Sequence, residues 1–453
     1  MTITRETLAS IRFGYGFAAA GKGPTGPKAL MAQLSRPDPY LADPMIAPLA
    51  ARQEWIAQSR AARLAIKKDR PDGQDMRRAA VSRFLDISHN DLKWLYIRPV
   101  TSPESFRERL IAFWADHFTV SALNRPLALG IPDMIQTAIR PNVTGRFGDM
   151  LKAVTIHPAM LEYLNQNRSV GPNSPEGKKR DRGLNENLAR EILELHTLGV
   201  GGSYTQTDVR EFAELMTGLR LNAGEFRFAR SWAEPGAETV LGSSYGGGKA
   251  VVGDILSALD DLATHPDTAR HLAKKMVVHF VGAPADEDHI AAVERRYIET
   301  DGDLTEVYDA LLNHDAAWAP ELRKVRTPFE LQVATFRALG TSKRMFTKLK
   351  RKQAQSMLAR PLQAMGQPMM RPNGPDGWPE EPEYWITPAA LTARTGWAVA
   401  SAQRAQDGID PRELLERVVR DAASPVLSFA IAGAATREEG LALIFASPEF
   451  NRR

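Results

Sequence analysis

The 453-residue chain contains no cysteine. That excludes disulfides, thiolate metal sites and cysteine nucleophiles, and leaves His, Asp and Glu as the strong candidates for ligands or acid/base groups. A chain without thiols is also indifferent to the redox state of its compartment. Neither sign of charge dominates: 58 basic and 54 acidic side chains leave a net +4, too weak and too interspersed for the field that draws a protein to nucleic acid. The densest basic run, Lys343, Arg344, Lys348, Lys350, Arg351 and Lys352, has Phe346 as its nearby aromatic and reads as a solvated helix face. Long apolar runs are missing too. Residues 426–435 are among the longest, short of the roughly 18–20 residues a bilayer span needs, so no integral membrane segment is expected. The opening MTITRETLASIRFGYGF has neither an apolar h-region nor a twin-arginine pair, which points to the cytoplasm.

What is present is helical periodicity. Apolar residues recur at three- and four-residue intervals through most of the chain, which predicts an all-α fold, a large multi-helical bundle built as one unit over 1–453 or as two lobes. Alternating patterns are rare, and residues 240–241 with 250–252, flanking a glycine run, are the best prospect for a small β-hairpin. Thr101-Ser102-Pro103-Glu104 and Thr327-Pro328-Phe329-Glu330 both carry capping-box grammar with an early proline and predict helix starts. Two Gly/Pro-rich stretches, residues 165–183 and 366–388, read as long ordered loops or lids.

The polar chemistry concentrates in residues 106–218. On a helix over 103–120, His117 shares a face with Phe106, Leu110, Phe113, Trp114 and Phe118 and so points inward. A second helix over 185–198 places His196 on its apolar arc and Glu186, Arg190, Glu191 and Glu194 on the other. A histidine on an apolar stripe is usually a satisfied core residue, but two of them on packed helices would share a low-dielectric chamber where one could act as base or ligand. The carboxylates divide in the same way. Glu186–Arg190 and Arg190–Glu194 are i,i+4 pairs suited to an exposed face, or else an inward set for acid/base or metal work. No His-x-x-x-His or Glu-x-x-His spacing specifies a metal, so a divalent ion stays open while nucleotide and haem motifs are absent. His157 opens the helix HPAMLEYLN, after which Asn165 starts the first loop, and Asp208 follows a cap at Thr205 or Thr207. Trp378, Tyr384 and Trp385 offer stacking faces, although aromatics also staple loops to a core.

The blocks FWADHFTV (113–120), HPAMLEYL (157–164), NENLAREILELHTLGVGGSYTQTDVREFAELMTG (185–218), RTPFELQVATFRALG (326–340), GQPMMRPNGPDGWP (366–379) and ASPEF (446–450) together resemble the bacterial family catalogued as domain of unknown function 1800. The resemblance implies a helical fold and association with a sulfatase-like protein of the alkaline-phosphatase superfamily (DUF1501 type), often exported. It places His117, His157, Asn185, Glu186, Arg190, Glu191, Glu194 and Asp208 in signature blocks without giving them roles. Leu219 stands where the family often has tryptophan, which removes a stacking partner there. Many members carry an export signal and this sequence shows none, so periplasmic delivery would require co-export with a signal-bearing partner.

Two functions follow as expectations. The first is an acid/base or metal-assisted, hydrolase-like enzyme acting on a sugar or on a sulfated or phosphorylated surface component. Its catalytic set would be His117, His157, Glu186, Arg190, Glu191, Glu194 and His196, with Asn165, Asn185, Asp208, Trp378 and Trp385 holding substrate. The alternative is a non-catalytic binding partner or chaperone of the sulfatase-like protein, the charged arc being an interior network and the aromatic loop an anchor.

Overall fold

Proline, with 30 residues, is put to use where its fixed φ helps. Pro158, Pro266, Pro328, Pro388 and Pro425 each open a helix, where the missing N–H has no intrahelical acceptor anyway. Side chains supply the other half of these starts. Thr327 accepts from the Glu330 N–H at 3.3 Å and Glu330 accepts from the Thr327 N–H at 3.0 Å, closing the expected capping box. The box expected at 101–104 does not form. A long helix, Gly73–Thr101, runs through its first residue, Ser102 accepts from the Glu104 N–H, and the next helix is Ser105–His117. Glu104 is drawn instead to Arg107 at 3.0 Å.

The computed structural model describes residues 3–19, 21–41, 49–179 and 183–453; residues 180–182 of the first expected loop lie outside them. The architecture is all-α with two small antiparallel hairpins, Leu219–Asn222 with Glu225–Phe228 and Ala237–Val240 with Ser243–Gly246. The expected strand at 240–241 contributes Val240, but the chain returns at once through Ser243–Gly246. Residue 252, expected in the return strand, instead opens the helix Val252–Thr264. The cause is a two-residue turn with both central residues at positive φ, Leu241 at 50° and Gly242 at 80°. Ala223 at 52° and Gly224 at 92° make the same turn in the other hairpin. Such turns match strand twist and usually announce themselves as Asn-Gly or Asp-Gly, which neither sequence has.

The buried apolar residues form two main cores. One gathers Phe106, Leu110, Trp114, Phe118, Phe147, Leu188, Ile192 and Leu272. The other gathers Trp94, Tyr96, Leu331, Phe336, Leu362, Trp397 and Phe445. The Gly73–Thr101 helix ends inside the second core, where Arg337 donates to the carbonyls of Pro99 at 2.8 Å and of Val100 and Ser102 at 3.1 Å. That guanidinium caps a helix end that would otherwise bury bare acceptors. Between the cores lies a cavity of about 240 Å³, walled by Ile111, Val120 and Ile131 from one side and by Tyr15, Trp94 and Leu362 from the other. Among the described residues no helix is long and apolar enough to cross a membrane.

Candidate functional site

The two histidines foreseen on packed helices do meet: the rings of His117 and His196 have centroids 5.9 Å apart. A third, His271, lies 6.4 Å from His117. The helical stretch Asn187–Glu191 widens into a π-turn over Ile192–His196, so its last carbonyls lack the usual partners. His117 donates from Nε2 to the His196 carbonyl at 3.2 Å and His271 donates from Nε2 to that of Leu195 at 3.1 Å. Both rings therefore cap a helix end. Burial, with Lys275 adding repulsion, lowers His196 to about 3 and His271 to about 4 and takes His117 well below its ordinary value. All three are neutral, and Nδ1 of His117 is buried without a partner.

The other expected residues disperse around this cluster. His157 accepts from the Ala159 N–H through Nδ1 at 3.1 Å as the N-cap of Pro158–Tyr163, and its Nε2 lies 3.4 Å from Asp133, in a separate cavity of about 320 Å³ beside Arg52 and Glu162. Asn165 ends that helix at φ 56°, and Asn185 donates to the Leu164 carbonyl at 2.7 Å. Asp208 closes a capping box with Thr205 and accepts from the Leu241 N–H at 2.8 Å. Arg190 lies 3.4 Å from Glu186 and 3.0 Å from Glu194, all three partly solvated, as an exposed-face ladder does. Leu219 is fully buried. The described part of the loop from residue 165 is tied to residues 231–234: Gly171 and Glu176 donate to the carbonyls of Trp232 and Ser231, and Asn173 bonds Glu234. Among the described residues one carboxylate group is close enough to share a cation, Glu211, Glu214 and Glu238, with oxygens within 4.8 Å. Burial and then a hydrogen bond shared with Glu211 push Glu238 up to about 8.

Glu191 stands apart from its neighbours on the helix. Half-buried and facing Glu194 and Asp376, it is raised to about 7, mainly by burial. Asp376 belongs to the second loop, which does border a cavity. Gln367, Pro368, Met369, Trp378 and Glu380 all line the space between the cores. Trp385, buried with Nε1 donating to the Pro379 carbonyl at 2.9 Å, staples the loop, while Trp378 donates its main-chain N–H to Asp116 at 3.0 Å. Gly377 is needed beside it, at φ 90°, because a Cβ there would lie 2.8 Å from Asp116 Oδ2.

At this cavity the charges are dense and ordered. Arg109 pairs with Glu330 and donates from Nη2 to His279 Nε2 at 3.2 Å. That fixes the proton on Nδ1, which donates to Glu380 at 2.6 Å. Lys324 donates to the Glu380 main-chain carbonyl at 2.6 Å and pairs with its carboxylate. Arg453 binds Glu330 at 3.0 Å and donates to the His279 carbonyl at 2.8 Å. Burial works against ionising Glu330, but Arg109 and Arg453 outweigh it and hold that carboxyl far below its usual range. His279 and Lys324 do the same for Glu380. Arg326, behind them with Nη1 unpartnered, is lowered to about 9 by burial and by repulsion from Arg109 and Arg453. Asp116 is the exception: burial, then Glu380 and Asp376, raise it to about 7 against the Trp378 N–H and Lys275.

Much of this set comes from one helix. Pro266–Phe280 presents His271, Lys275 and His279 at four-residue spacing along one face. That stripe of polar residues beside Leu272, Met276 and Phe280 is a sequence signal overlooked above, as are Arg109 and Asp116, seven apart on the helix of His117. Glu330 was visible as a cap, and its partners Arg109 and Arg453 lie 221 and 123 residues away in the chain.

An all-α fold with a charged cavity between two cores defines a helical protein with one polar chamber in a largely apolar seam. The chain belongs to the family described as Protein of unknown function (DUF1800), which it matches over residues 10–452. No curated protein and no solved structure matches it.

Proposed function

We propose that the chain is an acid/base enzyme of hydrolase type that works in the cavity between the cores on a substrate bearing an anionic ester, such as a sulfate or phosphate. The observation that carries this is the contrast between two neighbouring carboxyls, Asp116 raised to about 7 with Glu380 among the causes and Glu380 held ionised by His279 and Lys324. Paired groups driven apart by their surroundings mark the acid and the base of a site. Protonated Asp116 would give its proton to the leaving oxygen, the attacking water would lose its proton to solvent, and Glu380, held ionised, would keep His279 and Lys324 in place beside the reacting ester. Four cationic side chains, Arg109, Lys324, Arg326 and Arg453, face or back the same chamber against the carboxylates of Glu330 and Glu380. Buried positive charge in excess is costly until an anion joins it. Glu191 and Trp378 from the expected site border this region through Asp376 and Asp116, whereas the three neutral histidines support the floor under Lys275.

The test is turnover of 4-nitrophenyl sulfate and 4-nitrophenyl phosphate by the purified chain. Asp116→Asn should lower turnover by roughly 100-fold or more, the usual worth of a general acid, while inorganic sulfate still protects against unfolding. Turnover unchanged in that variant, or no protection by sulfate or phosphate in the native protein, would overturn the assignment.

A second reading, a binding partner of a sulfatase-like protein, draws on Val426 and Phe429, 78% and 83% exposed on the short helix Pro425–Ala432. Exposed apolar neighbours of that kind favour an interface. Co-purification that survives in native protein and fails in Phe429→Asp would favour it.

A further inference from the structure

Asp116, His279, Lys324, Glu330, Glu380 and Arg453 gather at one edge of the cavity, and much of the remaining wall is hydrocarbon, with Arg98, Glu108, Thr119 and Arg140 set into it. On the helix Ser105–His117, Arg109 and Asp116 lie within about 20° of each other around the axis, at the edge turned to His279 and Glu380. Ala112 stands about 60° away, Ala115 about 120° and Ile111 about 160°, so one helix face passes from charge to small and then branched apolar side chains, interrupted at about 100° by Glu108, which Arg140 neutralises. All six line the cavity. Opposite the apolar edge stand Ile131, Ile135 and Leu362, while Met369 and Met370 close it from the loop. Methionine, with its unbranched and polarisable side chain, fits itself to chains of varying shape. Polar groups near this half are already engaged: Arg140 binds Glu108 at 2.8 Å and Asp38 at 2.8 Å, and Thr119 donates to the Asp116 carbonyl. The space of about 240 Å³ holds on the order of eight groups of methylene size, taking about 30 Å³ for each.

We infer that the natural substrate is an amphiphile, an anionic ester head carried on an unbranched hydrocarbon tail of roughly four to six carbons, the head itself taking about two of the eight group-sized spaces, with the head against Arg453 and Lys324 and the tail along Ala115, Ile131 and Ile135. This rests on the anion-binding reading above and adds the tail to it. A sugar is the poorer occupant of this half, since its hydroxyls would face Ile131, Ile135 and Leu362 while Glu108, Arg140 and Thr119 are held by partners within the protein.

The experiment is calorimetric titration of the full chain with inorganic sulfate, then with butyl, hexyl and octyl sulfate below their micelle concentrations. Affinity should rise about fourfold per methylene, the worth of burying one CH2 group, and level off at about six carbons, once head and tail together fill the space. Ala115→Leu, which fills the tail space, should flatten the dependence on chain length while inorganic sulfate binds within twofold of native affinity. Met369→Trp fills the same space from the loop if the first variant does not fold. Sulfate binding with no gain from the tail would overturn the amphiphile and leave the anion site standing. A chain-length gain equally large in both filled variants would mean detergent adsorbing elsewhere, and would also overturn it. Absence of sulfate binding together with absence of any head-group preference would take down the underlying anion-binding reading itself.

Discussion

Replacing Glu330 by Gln isolates the electrostatics of the cavity, because the shape of the side chain and its acceptance from the Thr327 N–H survive while the charge does not. In the native protein this 6%-exposed carboxylate serves both Arg109 and Arg453. Its loss strands two buried guanidiniums beside Arg326 and Lys324. Removing one partner of a buried pair costs about 3–5 kcal/mol, and the loss here should fall at the upper end because two cations are stranded together. Urea denaturation is the suitable assay, since guanidinium chloride would screen the effect under study. The pH dependence supplies a second check. Glu330 is lowered in the folded state, so its contribution is fully present above the unfolded carboxyl value of about 4.3 and fades only as pH falls through the much lower folded value. The gap between native and variant should therefore hold from pH 8 to about 5 and narrow only in stronger acid. Sulfate should also stabilise the variant, by about 2.7 kcal/mol at one hundred times the variant's own dissociation constant if it binds the folded form alone, and at the same concentration it should stabilise the native protein less. A loss under about 1 kcal/mol, or a gap that closes near neutrality, would refute the picture of a cation cluster held by Glu330.

Gly377→Ala should cost about 1–3 kcal/mol in urea denaturation, because a Cβ at φ 90° would press on Asp116 Oδ2 and on its carbonyl at 2.9 Å; unchanged stability would show that the loop yields there. The neutral histidines make the fold acid-sensitive. His196 and His271, lowered to about 3 and about 4, contribute stability that is complete above the unfolded histidine value of about 6.5 and is lost as pH falls toward those values. His196→Gln should accordingly reduce the slope of stability against pH between 6 and 4 by up to ~1.4 kcal/mol per pH unit; identical slopes would mean that this ring protonates in place. Glu186→Gln combined with Glu194→Gln should change stability by no more than about 0.5 kcal/mol, since both pairs with Arg190 are partly solvated, and a larger loss would mark the ladder as buried in solution.

The helical class, the Thr327 cap and the inward faces of His117 and His196 were all legible from the sequence, because each follows from spacing within one segment. What spacing cannot supply is the partner across the fold. His117 reads as a base or ligand until the carbonyl of His196 is seen to receive its proton, and that carbonyl is available because the helical stretch ends at His196. Glu191, Glu186 and Glu194 look alike in sequence, yet only Glu191 faces Asp376. The charged seam was the least legible, since Arg109, His279, Lys324, Glu330, Glu380 and Arg453 come from six separate segments, each unremarkable alone. The hairpins were half-visible, with Leu241-Gly242 and Ala223-Gly224 standing in for the Asn-Gly that would have marked the turns.

A chamber shared by two separately packed cores couples its contents to the cohesion of the whole chain. An occupant that touches Ile131 on one side and Leu362 on the other acts as mortar between two masonry blocks, so filling the gap should merge their melting into one event. Substrate supply and resistance to heat would then rise and fall together.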